Sequence, residues 1–439
     1  MLLKDLVVTP ILLMIVYLIA YFIKFSRQEG FLKKIFITAL TLKIFAAILL
    51  GVVYQFYYKG GDTFSYFQQS EVIHQAFINN PIDGIKLILS DGSYDADTFN
   101  YSSKLKWYRF QTEFMVVKIA AIFGLLCFST YSSIATFFAI FSFAGLWLFY
   151  KSLLKINPHL KVEFAIATFF VPSVIFWGSG VLKDSLMIGC LGFLFFSFYN
   201  LFISREKLVL SLFLLFISLY ILNITRIYIL LGFIPPALLW AFLANNEKIR
   251  NVMLRKMAAP IFLAAGLFSA YFLATNITAG NKKYDLDEIA VRTKINSEYL
   301  YNVSIAQGGS AYNLGQLDGT FLSMFRAAPA AIVVSLFRPF IWEVKNPLML
   351  ISSLESMVFL FFTLYIIIKV GPINILKIIY KDSFIKFCLI FTLIMAVAVG
   401  LNSFNFGTLV RYKIPFLPFY VVMLFSIDNK KKLNTVQDT

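Results

Sequence analysis

A chain of 439 residues that is 59% hydrophobic and only 14% charged, with 50 phenylalanines, lies far from the roughly 25% charge of a soluble domain. Several stretches of about 20 residues carry almost no charge, which is the length that spans a bilayer as a helix, and the short alternating strands of a membrane barrel are absent. The net charge of +16 does not call for nucleic acid, because the basic residues sit at the ends of apolar runs, as the positive-inside rule places them.

The first apolar segment, LVVTPILLMIVYLIAYFIK, is preceded by Lys4 offset by Asp5 and followed by Phe25, Ser26 and Arg27 where a small-residue cleavage site would stand. It reads as a retained helix rather than a secretion signal. Basic connections at Lys24–Lys34, Lys151–Lys161, Arg205–Lys207, Lys248–Lys256, Lys369–Lys386 and Lys430–Lys432 belong in the cytoplasm. Two long, charge-balanced connections, 55–130 and 277–346, belong outside. Two runs resist counting as spans: 114–128 carries Lys118 and Gly124, and 328–342 carries Pro329, Arg338 and Pro339. Laid along the outer interface as amphipathic helices, they leave every basic loop inside.

Spans are then expected at about 6–24, 35–54, 131–150, 163–180, 185–203, 208–224, 228–244, 257–276, 347–368, 385–402 and 411–427. The expected fold class is all-α, a polytopic transmembrane helical protein with about 11 spans plus two outer interfacial helices, forming one integral membrane domain over 1–439. The expected location is the cytoplasmic membrane, N-terminus outside and C-terminus in the cytoplasm. No internal repeat is visible, which weakens a transporter assignment. Cys127, Cys190 and Cys388 lie in apolar runs without paired spacing and read as packing residues.

This topology collects charged groups at the outer face: Asp62 after Gly60-Gly61, Lys183 and Asp184 in GSGVLKDSL, Arg226 in NITRIY, Arg338 and Glu343 in LFRPFIWE, and Arg411 and Lys413 before the last span. Charges this close to hydrocarbon usually line a cavity or bind something. Each has a plainer reading. Asp62 is then a cap of a helix over 63–77, Asp184 a solvated helix start, and Arg226 a snorkelling side chain. Arg411 and Lys413 lie on the side that disfavours positive charge, so topology alone explains them less well. The set is mainly cationic, which suits a lipid-linked phosphate, and a nearby carboxylate can deprotonate a hydroxyl. Lys43 is the clearest mid-span charge. The acids of DGSYDADT (91–98) lack the full calcium-loop ligand series and read as an ordinary loop. His74 and His159 show no metal-ligand spacing. No metal site is expected, and nothing supports a divalent cofactor. Tyr94, Tyr101, Trp107 and Tyr108 suit an interfacial belt or stacking on sugars, with the belt favoured.

GGDTFSYF, with Asp62, resembles the aspartate-bearing first loop of the GT-C superfamily of integral-membrane glycosyltransferases. The run 109–154 is similar to their juxtamembrane helix, a break at Phe123-Gly124 and the next span; VPSVIFWGSGVLKDSLMI is similar to their proline-ended span, polar turn and following helix. The resemblance covers roughly 50–240. It implies a GT-C-like fold, Asp62 as catalytic base, and a lipid-phosphate site formed by Lys183, Arg226, Arg338, Arg411 and Lys413. It also implies a polyprenyl-phosphate-linked sugar as donor, a glycan or glycolipid acceptor, and transfer with inversion. The pattern departs in lacking a second acid beside Asp62, a part Asp184 would take, and in carrying one extra span at the start. FGTLVRYKIPFLPF is also similar to the basic motif before the last span of O-antigen-polymerase-like proteins. A polymerase or ligase is therefore the alternative, ahead of a transporter or flippase.

Overall fold

A computed structural model describes residues 4–23, 29–246, 289–306, 308–315 and 317–437. Among these residues the chain is helical, with no strand beyond an isolated bridge between Ala311 and Asn405. Among the described residues, seven helices are long and apolar enough to cross a membrane, or eight if the bent pair Phe406–Tyr412 and Leu417–Lys431 counts as one span. The expected span at 257–276 lies outside the described residues.

The residues gather into two compact units. The first comprises Met1–Lys151, Val174–Ser197 and Leu212–Ile227; the second comprises Ser152–Ser173, Phe198–Ser211 and Tyr228–Thr439. In the first unit, α1 (Asp5–Phe22) is mostly exposed, as a helix facing lipid would be. Helix α2 (Gly30–Val52) ends in a wider turn, Val53–Tyr57, after which Gly60 (φ 135°) and Gly61 (φ 122°) turn the backbone into α3 (Asp62–Asn79). A side chain at Gly61 would also strike the ring of Tyr54 at 2.8 Å. Helix α4 (Pro81–Leu89) starts where Asn80 accepts from Ile82 N and Pro81 presets the first turn. A loop with the short helix α5 (Phe99–Ser102) leads to α6 (Gln111–Leu126).

Helix α6 differs from the surface-lying helix expected at 114–128. It packs on α3, and Phe114 through Lys118 are all buried. The buried Lys118 is satisfied by the Ser90 carbonyl at 2.5 Å, so its charge does not force the helix to the surface. The expected break at Phe123-Gly124 is absent too: the helix continues to Leu126, and the chain turns at Phe128 and Ser129, both left-handed.

Helix α7 (Tyr131–Ile156) then meets α10 (Lys183–Tyr199) at backbone contact. A Cβ on Gly145 would lie 2.0 Å from the Gly189 carbonyl oxygen, and one on Gly192 would lie 2.3 Å from that of Gly145. Small residues at such a spacing let two helices approach without a hydrophobic driving force between them. The span expected at 163–180 is broken instead into α8 (Lys161–Phe169) and α9 (Pro172–Trp177). Pro172 lacks the N–H that would continue α8. Lys43, buried in α2, donates to the carbonyls of Val174 (2.9 Å) and Gly178 (2.8 Å) and to Ser142 Oγ (3.1 Å). Its ammonium is thus consumed in holding the end of α9.

Helix α11 (Leu208–Asn246) is interrupted at Arg226, whose φ of −152° and ψ of 57° are not helical. At about 1.5 Å per residue its full length is roughly twice the ~30 Å hydrocarbon core, and the interruption falls near the middle. In the second unit, α12 (Ile289–Ala306), α13 (Phe321–Phe337), α14 (Pro347–Val370), α15 (Pro372–Lys381), α16 (Ser383–Ser403), α17 (Phe406–Tyr412) and α18 (Leu417–Gln437) follow. Asn346, Asp382 and Asn405 cap α14, α16 and α17 with their side chains. A Cβ on Gly400 of α16 would sit 2.4 Å from the Ala331 carbonyl of α13, the second close helix crossing. Trp240, Phe233 and Phe419 pack on Phe387 to form the aromatic centre of this unit.

Candidate functional site

One end of the first unit gathers polar groups from several helix starts. The start of α1 is tied to the start of α7, where Asp5 accepts from Ser132 N and Oγ, both at 2.9 Å. Gly51 faces Tyr131 and Gly180 faces Leu50, which brings the end of α2 to the same level. Helix α3 begins here as well: Thr63 Oγ1 and Tyr131 OH are hydrogen-bonded at 2.8 Å. Asp62 is the first residue of α3 and is exposed. A carboxylate in a first turn is favoured by the helix dipole, and the glycine N-cap offers no competing side chain.

The start of α10 completes this end. Lys183 Nζ is paired with the Glu113 carboxylate at the start of α6. Asp184, the next residue, accepts from Arg226 Nη2 at 3.0 Å. Burial on its own pushes the Glu113 carboxyl up; the Lys183 ammonium and the Thr112 hydroxyl outweigh it and leave the group below its ordinary range. Asp184 is enclosed, with a side chain 1% exposed, so it orients Arg226 rather than offering a second open acid.

In the second unit Arg338 terminates α13 and turns onto Glu343, with Nε 3.0 Å from Oε2 and Nη2 on Oε1. The rings of Phe406, Tyr312 and Phe340 surround its guanidinium at 5.2, 5.7 and 6.0 Å. Lys413, at the bend between α17 and α18, has no exposed side-chain surface. It donates to Ser356 Oγ at 2.9 Å and lies 3.9 Å from Glu355. Glu355 accepts in turn from Ser173 N (2.7 Å) and Oγ (2.8 Å), while Ser356 donates to the Arg338 carbonyl at 3.0 Å. Arg411 is half-buried in α17.

Thus four cations expected to await a lipid phosphate each face a carboxylate: Lys183, Arg226, Arg338 and Lys413. Lys413 is turned wholly inward and serves as an internal ion-pair partner, not as a headgroup ligand. Arg338 is likewise no open cation, and it belongs to a turn after α13 rather than to an interfacial helix. Asp62, Lys183, Asp184 and Arg226 fall in the first unit; Arg338, Arg411 and Lys413 fall in the second.

The carboxylate partners Glu113 and Glu355 are the residues that sequence reasoning missed. Glu355 had a readable signal, since an acid inside the apolar run LISSLESMVF requires an internal partner. Glu113 lay one residue ahead of an apolar run and gave none. The belt expectation fails for Tyr108, which is buried and bonded to Ser90 Oγ and the Ser93 carbonyl. The acids of the 91–98 loop serve it locally: Asp91 accepts from Ser93 N, and Asp97 pairs with Lys86. No group of three or more metal-ligating side chains occurs among the described residues. Comparison with protein families, with curated proteins and with solved structures finds no match.

Proposed function

We propose that this chain is a GT-C-type membrane glycosyltransferase with about eleven spans, which moves a sugar from a polyprenyl-phosphate-linked donor to an acceptor hydroxyl in surface glycan assembly at the outer face of the cytoplasmic membrane. The observation that carries the reading is the exposed Asp62 behind its two left-handed glycines, in the same unit as the paired Lys183 and Arg226. In this mechanism Asp62 takes the acceptor's hydroxyl proton as that oxygen bonds to the anomeric carbon. The bond from that carbon to the phosphate oxygen breaks, and polyprenyl phosphate leaves with the electron pair. Lys183 and Arg226, held in place by Glu113 and Asp184, stabilise the departing phosphate as its charge grows. A transport reading draws less support, since the mid-span charge of Lys43 is engaged by three neutral acceptors.

The test is complementation of cells that lack the protein with wild type or Asp62→Asn, at matched membrane levels, scored on cell-surface glycan. The expected result is a glycan as defective as in the deletion. A normal glycan from Asp62→Asn removes Asp62 from the chemistry, and if Arg411→Ala then abolishes the glycan the polymerase alternative takes over. A deletion that changes no glycan overturns the sugar reading altogether.

A further inference from the structure

The second unit holds a cleft of about 700 Å³ whose wall is one face of α13, including Pro329, Ala330 and Val333, and whose rim carries Asn313, Arg338, Phe340, Trp342 and Glu343. This size lies inside the range of small-molecule sites, and an apolar wall with a few convergent polar groups is their usual lining. We infer that this cleft binds a neutral saccharide, stacked on Trp342 and hydrogen-bonded by Arg338, Glu343 and Asn313.

Three observations point to a sugar. Trp342 lies against Phe340 with ring centroids 4.8 Å apart and 23° between planes, yet is 77% exposed. One ring face thus rests on Phe340 while most of the side chain is uncovered, a flat surface that suits the apolar C–H face of a pyranose. Arg338 spends two of its N–H groups on Glu343, and a guanidinium has five, so donors for ring hydroxyls remain. Asn313, also on the lining, accepts from Gly315 N through Oδ1 at 2.8 Å, and its amide N–H₂ is a donor group. A neutral ligand fits the Arg338–Glu343 pair as it stands, since drawing Arg338 away would strand a carboxylate that also accepts from Phe340 N at 2.7 Å. A polyol keeps the pair intact. The inference stands apart from the transferase reading, since the cleft lies wholly in the second unit.

The experiment is isothermal titration of the purified full chain in detergent with maltotetraose, cellotetraose, chitotetraose and mannotetraose, and separately with undecaprenyl phosphate. At least one tetraose binds the wild type; Trp342→Ala weakens it about tenfold, in line with an aromatic contact, while Trp342→Phe stays near wild type. Asn313→Ala weakens it less. Both side chains are exposed, so melting midpoints of the variants are unchanged. The inference is overturned if no tetraose binds, if Trp342→Ala binds as well as wild type, or if only undecaprenyl phosphate binds in a Trp342-dependent manner. If Asp62→Asn abolishes surface glycan while no tetraose binds, this inference fails alone; if a tetraose binds and Asp62→Asn leaves the glycan intact, the transferase reading fails alone.

Discussion

At the scale of residues, buried charge is compensated by pairing, and each pair makes a specific prediction. Lys413 and Glu355 are almost fully enclosed, and each also bonds a serine. Removing one partner leaves the other charge in a low-dielectric interior, which costs about 3–5 kcal/mol. Glu355→Ala therefore lowers the melting midpoint of the purified protein sharply, and Glu355→Gln, which keeps acceptors for Ser173, lowers it less. Equal and small shifts for both would mean the pair contributes nothing. Glu113 makes a prediction in pH. Its carboxyl is held below the ordinary glutamate range in the fold, so the stabilisation it provides is fully present at and above that range. It is lost as pH falls through the lowered folded value. Acid sensitivity of the Lys183 turn, followed by hydrogen exchange over 180–186, therefore begins only below the ordinary glutamate range and disappears in Glu113→Gln. Loss of protection already near neutral pH would contradict the assignment.

At the scale of elements, the close helix crossings are set by absent side chains. Gly145→Leu or Gly192→Leu drives new atoms into carbonyl backbone that cannot rotate away. Overpacking of this kind costs about 1–3 kcal/mol or more, read as a fall in melting midpoint and yield. Gly124→Ala is the contrast: its nearest neighbours are 3.6 Å from the new Cβ, and an alanine inside a helix is favoured by roughly 0.5–1 kcal/mol. It should be neutral or stabilising. Destabilisation by all three substitutions alike would show that the crossing is not the determinant.

Elements are also where the sequence was most and least readable. Helices α2, α7, α10, α14 and α16 are legible from apolar length. The split of 163–180 was not, because hydropathy runs on through Phe170, Val171 and Pro172 while hydrogen bonding does not. The burial of α6 was missed for a similar reason: a lysine in an apolar run was read as a surface signal, and only tertiary contact supplies the Ser90 carbonyl that accepts it. The candidate site was half legible. Asp62 and its glycines stand out locally, but which carboxylate meets which cation depends on partners such as Lys183 and Glu113, 70 residues apart.

For the whole molecule, the described residues of two compact helical units include seven or eight apolar helices of membrane-crossing length, as in a multi-pass membrane protein. The central claim is that Asp62 removes the acceptor proton, and the most direct measurement is the pool of polyprenyl-linked sugar in membranes, quantified by mass spectrometry. Deletion cells would carry wild type or Asp62→Asn at equal abundance. Loss of a general base slows the step by about 10²–10⁴-fold, so the Asp62→Asn pool is predicted to accumulate to the level of the deletion. A pool as low as in wild-type cells would contradict the account.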